Sequence, residues 1–187
     1  MATPMAMLVM LLPAASAYTT PTVFLRPSTS PTIRQYLLGD WDLRRSLQYR
    51  TGGLSGVWEG EASFTPLEHS ERDLVSYLER GRFRAAHDRL QKYDTRNRLL
   101  YDFTDSRKVD VYVDDEEADR STESVLRGLR YLYSLNPETL LMKEHLYETT
   151  LYRGEFEIEA PHAWILTWKV SGPQCDGIMA SLFSRRC

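Results

Sequence analysis

From Gly39 to Arg50 the side chains alternate between apolar and polar at almost every step, and no other stretch constrains the fold as strongly. Trp41, Leu43, Leu47 and Tyr49 fall on one side of an extended strand. Asp42, Arg44, Ser46, Gln48 and Arg50 fall on the other, because strand side chains repeat with period two. One face is built to be dry, and a terminal strand ending Phe183-Ser184-Arg185-Arg186 answers it at the far end of the chain.

The same period recurs between those two strands. Thr51-Gly52-Gly53 reads as a hairpin turn, after which Trp58, Gly60, Ala62 and Phe64 oppose Val57, Glu59, Glu61 and Ser63. Leu74 to Phe83 puts Val75, Tyr77, Glu79, Gly81 and Phe83 in phase. Further strands are expected over His87 to Tyr93, Leu99 to Thr104, Lys108 to Val113, Val125 to Leu135, Leu140 to Tyr152, His162 to Ser171 and Gln174 to Arg186. Asn136-Pro137 and Gly172-Pro173 mark turns. Pro31 to Leu38 reads as a short helix, with Ile33, Tyr36 and Leu37 on one face, that plugs one end. Short connections and the lack of long helical patterns give an all-β chain. About nine or ten strands left open would expose two hydrogen-bonding edges, so an up-and-down antiparallel barrel, closed or nearly closed, is expected.

With 187 residues the chain suits one domain plus a short extension. The net charge is −3 and the basic residues are scattered, which gives no footprint for a nucleic-acid backbone. Cys175 and Cys187 flank what reads as one strand, roughly 35 to 40 Å long, too far apart for a disulfide. No Cys/His cluster has the spacing of a zinc site. The six acidic residues between Asp114 and Ser124 lack the glycine and ligand alternation of a calcium loop and read as a solvated hairpin insertion.

The first residues read as an address. Met5 to Leu12 is a short apolar run, and Ala15-Ser16-Ala17 has the small-x-small form of a cleavage site, so residues 1–17 read as a signal peptide. Residues 18–35 are transit-like: Ser, Thr and Pro abound, Arg26 and Arg34 are basic, and no Asp or Glu occurs. Together they resemble a bipartite presequence leading to a plastid through the secretory route, with plain secretion as the alternative. The barrel domain is then 36–187, with no transmembrane segment in the mature chain.

Ionisable residues on apolar faces are the informative anomalies. Arg45 is in phase with Trp41 and Leu47, and Glu79 with Tyr77 and Phe83. An unpaired interior charge costs several kcal/mol, so each needs the other, a ligand or water as partner. Arg127 raises the same question. His145 shares an expected strand face with Leu141, Tyr147 and Leu151, where an imidazole serves as a core residue, a proton shuttle or a haem ligand. Neither a Gly-x-Ser-x-Gly elbow nor a phosphate-cradling loop is present.

Several motifs occur in a telling order: Leu38-Gly39-Asp40-Trp41-Asp42-Leu43-Arg44-Arg45, Gly56-Val57-Trp58-Glu59-Gly60-Glu61-Ala62-Ser63-Phe64, Tyr77-Leu78-Glu79-Arg80-Gly81, Asp105-Ser106-Arg107, His145-Leu146 and Trp168-Lys169-Val170-Ser171-Gly172-Pro173. Across about residues 36 to 186 the chain resembles an uncharacterised family, a domain of unknown function with a lipocalin-like (calycin-like) barrel, which some fungal relatives carry beside a nucleotide-binding enzyme domain. The Gly39-x-Trp41 start is also similar to the lipocalin signature. That resemblance implies that Arg185 or Arg186 stacks on Trp41 at the closed end, a contact worth about 0.5 to 2 kcal/mol. The chain departs from the family pattern at Val109 and Asp110, where relatives have a histidine, and at Tyr147 and Thr149-Thr150, where they have Cys and a downstream Asp. It departs again at Cys175-Asp176-Gly177, where Lys-Asp-Tyr is usual. His145 and Asp176 survive as candidates.

The functional expectation is a non-catalytic barrel that encloses a small apolar or amphipathic ligand such as a pigment, tetrapyrrole or lipid. Its pocket candidates are Arg45, Tyr77, Glu79, Arg127, His145, Tyr147 and Asp176. The alternative is a lyase- or isomerase-type enzyme with His145 as acid/base, or, more narrowly, a haem protein ligated through His145. A protein-binding module using the acidic loop is the third reading.

Overall fold

The computed structural model describes residues 32–68, 70–87, 92–114 and 129–186, all within one compact unit. The presequence-like residues 1–31, Arg127, most of the acidic stretch, Cys187 and the Tyr147 side chain lie outside the described residues.

Among the described residues ten antiparallel strands form one sheet: β1 (Gly39–Thr51), β2 (Gly56–Pro66), β3 (Leu74–Ala85), β4 (Lys92–Asp102), β5 (Val109–Val113), β6 (Arg130–Leu135), β7 (His145–Tyr147), β8 (Thr150–Ala160), β9 (Ala163–Ser171) and β10 (Asp176–Arg185). Sequence neighbours pair, and β1 also pairs with β10, so the order runs β6-β5-β4-β3-β2-β1-β10-β9-β8-β7. The two edge strands face each other across a seam. Residues 140–143 stitch one end of it: Lys143 N–H donates to Ser134 O at 2.9 Å, Met142 N–H to Gly154 O at 3.1 Å, and Phe156 N–H to Leu140 O at 3.0 Å. The result is a nearly closed barrel, with few backbone groups left at an open edge.

The short helix α1 (Ile33–Leu37) covers one end. It starts two residues later than the sequence predicts. Thr32 caps it, with Gln35 completing a reciprocal capping box, a signal the Pro31 reading passes over. Tyr36 and Leu37 are buried, and the Tyr36 hydroxyl reaches the carbonyls of Ala160 and Ala163 at 2.7 and 2.9 Å. Above the helix the floor is aromatic: Trp164 stacks on Phe183 at 3.6 Å and meets Trp41 edge-on at 5.9 Å. Arg185, not Arg186, supplies the stacking cation, with its guanidinium carbon 4.0 Å from the Trp41 ring. It donates to Leu38 O at 2.6 Å and to Tyr36 O, which ties helix, first strand and last strand together. Gly39 sits at φ +110°, and a Cβ there would lie 2.9 Å from an Arg185 Nη, so the glycine leaves that cation its place. Arg186 points outward and pairs with Asp42 and Glu61.

Three strand assignments change. The expected pair of strands at His87 to Tyr93 and Leu99 to Thr104 is, over its described part, the single strand β4, paired with β3 from Lys92 to Asp102. Its polar Asp94, Arg96 and Arg98 form the outer face of a strand whose inner face carries Thr95, Leu99 and Tyr101. The expected strand over Leu140 to Tyr152 is divided, because Leu140 and Glu148 adopt positive φ, 59° and 52°. The chain turns after Tyr147 and returns as β8, which runs on to Ala160. Leu141 is consequently 53% exposed and does not share an inward face with His145. Asp114 is not part of a solvated insertion: it is buried and its carboxylate lies 3.5 Å from the Arg98 guanidinium. Cys175 is a free thiol. No helix among the described residues is long and apolar enough to cross a membrane.

Candidate functional site

Small residues on β2 make room for a charge pair inside the barrel. β2 lies between β1 and β3 and faces inward with Trp58, Gly60, Ala62 and Phe64, where Trp58 opposes Arg45 and Ala62 opposes Glu79. With only Gly60 and Ala62 intervening, the Arg45 guanidinium crosses over β2 to Glu79 on β3. The pair is bidentate, Nη1 to Oε1 at 3.0 Å and Nη2 to Oε2 at 2.7 Å. Arg45 Nε donates to Ser181 Oγ at 2.8 Å across the β1–β10 ladder, and the Tyr77 hydroxyl donates to Glu79 Oε2. The Glu79 and Arg45 side chains are 5% and 17% exposed.

Gly60 and Gly81 face each other on adjacent strands, and a Cβ at Gly81 would sit 2.5 Å from both the Glu59 carbonyl and the Trp58 ring. The glycines form a slot in which the indole lies flat. Its Nε1–H donates to Thr95 Oγ1 at 2.5 Å, and its ring lies 5.4 Å from the Arg45 guanidinium carbon. Trp58 therefore walls one side of the charge pair with an apolar surface that also tolerates a cation.

On the other side of the pair is a cavity of about 430 Å³. Its walls are Leu99, Tyr101, Leu132, Tyr133, Leu166, Trp168, Met179 and Phe183, and its polar lining is Arg45, Tyr77, Glu79 and Ser181. The exposed Asn97 and Arg130 and the half-buried His145 and Tyr152 also line it, as its mouth. Tyr133 packs edge-on against Trp168 at 4.9 Å, and the Tyr101 and Tyr133 hydroxyls are 3.1 Å apart.

The electrostatics are those of a neutral chamber. Burial works against the Arg45 charge, but the hydrogen-bonded Glu79 carboxylate outweighs it and holds the guanidinium above its ordinary range. Burial, followed by the nearby carboxylate, pushes the Tyr77 phenol well up. Burial also raises Tyr101, and it raises Tyr133 to about 12. All three phenols are protonated donors at neutral pH, and the charge pair cancels itself.

Of the residues singled out from the sequence, Arg45, Tyr77, Glu79 and His145 line this one cavity. Among the described residues no hydrogen bond joins His145 to Arg45 or Glu79. Haem ligated by His145 would seat its iron at the entrance, away from the buried pair. Asp176 does not line the cavity: it starts β10 in the outward phase and pairs with Arg50 at 2.8 Å. Tyr101, Tyr133, Trp168 and Ser181 line it too, beyond the candidates that the sequence marks. Ser181 carries the same signal as Arg45, a polar residue in phase with Met179 and Phe183, whereas the tyrosines have the pattern of ordinary strand aromatics. A bulge between Val111 and Tyr112 resets the phase of β5 against β6, so alternation alone does not show which β6 tyrosine turns inward. No group of three or more His, Cys, Asp or Glu side chains placed to hold a metal occurs among the described residues.

Comparison with known proteins agrees with this architecture. The family described as "Family of unknown function (DUF6314)" matches residues 37–185. No curated protein matches the chain in sequence. Among solved structures, the S-type phycobiliprotein lyase CPES from Guillardia theta is similar at 12% identity and a TM-score of 0.52, over 82% of this chain and 90% of that one. A redesigned β-barrel, mFAP1, bound to DFHBI is similar at 10% identity and a TM-score of 0.41, over 83% of this chain and all of that one. At 12% identity the likeness to the lyase is one of fold alone.

Proposed function

The chain belongs to the family of unknown function DUF6314, and from that premise we propose that its barrel binds a small, mostly apolar ligand without transforming it. The observation that carries this reading is the cavity of about 430 Å³, large enough for a ring system, walled by aromatic and aliphatic side chains and lined on one side by a charge pair. A barrel built only for stability would fill this volume, since a void forfeits dispersion contacts and costs stability. Burying the Arg45–Glu79 pair is itself no source of stability compared with apolar side chains of similar size. Void and pair together are the signature of a site kept for a guest. Arg45 and Glu79 satisfy each other, and His145 stands apart at the mouth, an arrangement that supports holding a ligand rather than shuttling protons on it.

Native mass spectrometry of the protein purified from its own source tests the reading. The expected result is a bound small molecule whose occupancy falls in a Leu166→Trp variant, whose larger side chain takes up part of the cavity. An unliganded spectrum, together with no binding of apolar dyes at micromolar concentration, refutes it.

A further inference from the structure

The hydrogen-bond ledger inside the cavity does not balance. Arg45 has five N–H donors; three go to Ser181 and Glu79, and the Tyr77 hydroxyl oxygen is a further partner of the guanidinium. Ser181 accepts from Arg45 with the oxygen of its hydroxyl, and among the described residues nothing accepts the proton of that hydroxyl, although the residue is only 1% exposed. Tyr101 and Tyr133 bring two O–H protons to a single mutual contact of 3.1 Å, so whichever donates, the other's proton has no acceptor among the described residues. Both residues are buried. On the opposite side of the ledger, Glu79 already accepts from both Arg45 nitrogens and from Tyr77. The chamber is rich in donors and poor in acceptors. A buried donor without a partner costs about 1 to 3 kcal/mol, so the guest is expected to bring what is missing.

The charge of the missing group follows from the same residues. The bidentate Glu79 carboxylate cancels the Arg45 guanidinium, so at the buried end, away from the exposed Arg130 at the mouth, a ligand carboxylate would enter as an uncompensated negative charge beside Glu79. A carbonyl oxygen accepts the same protons without that cost. The walls specify the rest of the molecule, because aromatic side chains such as Tyr101, Tyr133 and Trp168 line the cavity and suit a conjugated body. Resting on the ligand-binding reading above, we propose that the cavity selects an uncharged, flat, conjugated ligand whose buried end is a carbonyl-type oxygen, hydrogen-bonded by the hydroxyl pair Tyr101–Tyr133.

Three probes on one aromatic body test it with the full-length chain. They are prodan, a neutral naphthalene ketone, its parent dimethylaminonaphthalene without the ketone, and the corresponding naphthalene carboxylate. The ketone is expected to bind about three- to tenfold more tightly than the parent, the worth of one net hydrogen bond, and the carboxylate about tenfold or more weakly than the ketone. In Tyr101→Phe/Tyr133→Phe, which removes both hydroxyls and leaves the ring shapes, the preference for the ketone is expected to vanish. The emission of bound prodan should shift to the blue as its carbonyl loses a donor, while affinity for the parent stays unchanged. Far-UV circular dichroism of the variant checks that it is folded. A carboxylate that binds as well as the ketone, or a double variant that keeps the full ketone preference, overturns the proposal and leaves ligand binding standing. Binding of none of the three probes to the wild-type chain overturns both readings.

Discussion

Removing Glu79 should be among the most damaging single substitutions in the barrel. In Glu79→Ala the guanidinium of Arg45, 17% exposed, loses both carboxylate contacts, and the buried Tyr77 hydroxyl loses its acceptor. Breaking a buried ion pair from one side costs about 3 to 5 kcal/mol, because the partner's charge stays desolvated. For a domain of this size, at about 2 to 4 °C per kcal/mol, that is a fall in Tm of roughly 6 to 20 °C. Removing the charge pair and the Tyr77 hydroxyl together has a different outcome. Arg45→Met/Glu79→Leu/Tyr77→Phe leaves no buried charge and strands only the Ser181 hydroxyl, which Arg45 had bonded, so its stability should recover most of the Glu79→Ala loss. Urea unfolding followed by fluorescence of the four tryptophans, with circular dichroism as a second probe of two-state behaviour, measures both. A Glu79→Ala cost below about 1 kcal/mol, or a triple variant as unstable as the single one, would refute the burial argument. The triple variant also separates stability from function, since it keeps the apolar walls but alters the polar lining.

Alkaline pH should loosen the barrel in a defined window. Tyr133 is raised from 10.0 to about 12, and Tyr77 and Tyr101 are raised with it. The native state therefore holds these protons more tightly than the unfolded chain, so their stabilisation is complete below about pH 10 and is lost as pH rises from there through about 12. Urea midpoints across that range should fall, and fall less steeply in Tyr133→Phe. Arg185→Met should cost about 2 to 4 kcal/mol in urea unfolding through two lost charge-assisted hydrogen bonds and the Trp41 stack, whereas Arg186→Met should leave the midpoint unchanged. Gly81→Ala drives a Cβ into the Glu59 carbonyl and the Trp58 ring and should lower stability by about 1 to 3 kcal/mol, with a change in tryptophan emission. Asp176→Asn should alter neither ligand affinity nor unfolding, because its carboxylate faces outward to Arg50.

The period-two pattern was enough to show that Trp41, Trp58, Phe64, Tyr77 and Phe183 belong to one dry interior, and that Arg45 and Glu79 share it. Alternation is a property of the chain itself, since a strand has only two sides. The pattern also announced that closure was needed, because so many strands leave edges to satisfy. It could not report partnership. Arg45 and Glu79 are thirty-four residues apart in the chain, and they meet because β2 presents Gly60 and Ala62 between them, a coincidence of register across three strands. Register likewise chose Arg185 over Arg186 as the cation on Trp41, and positive φ at Glu148 turned one expected strand into two, with His145 left at the mouth. The Tyr101–Tyr133 pair and the empty volume beside it belong wholly to the tertiary structure, because an unfilled space is a relation among ten strands that no single segment carries.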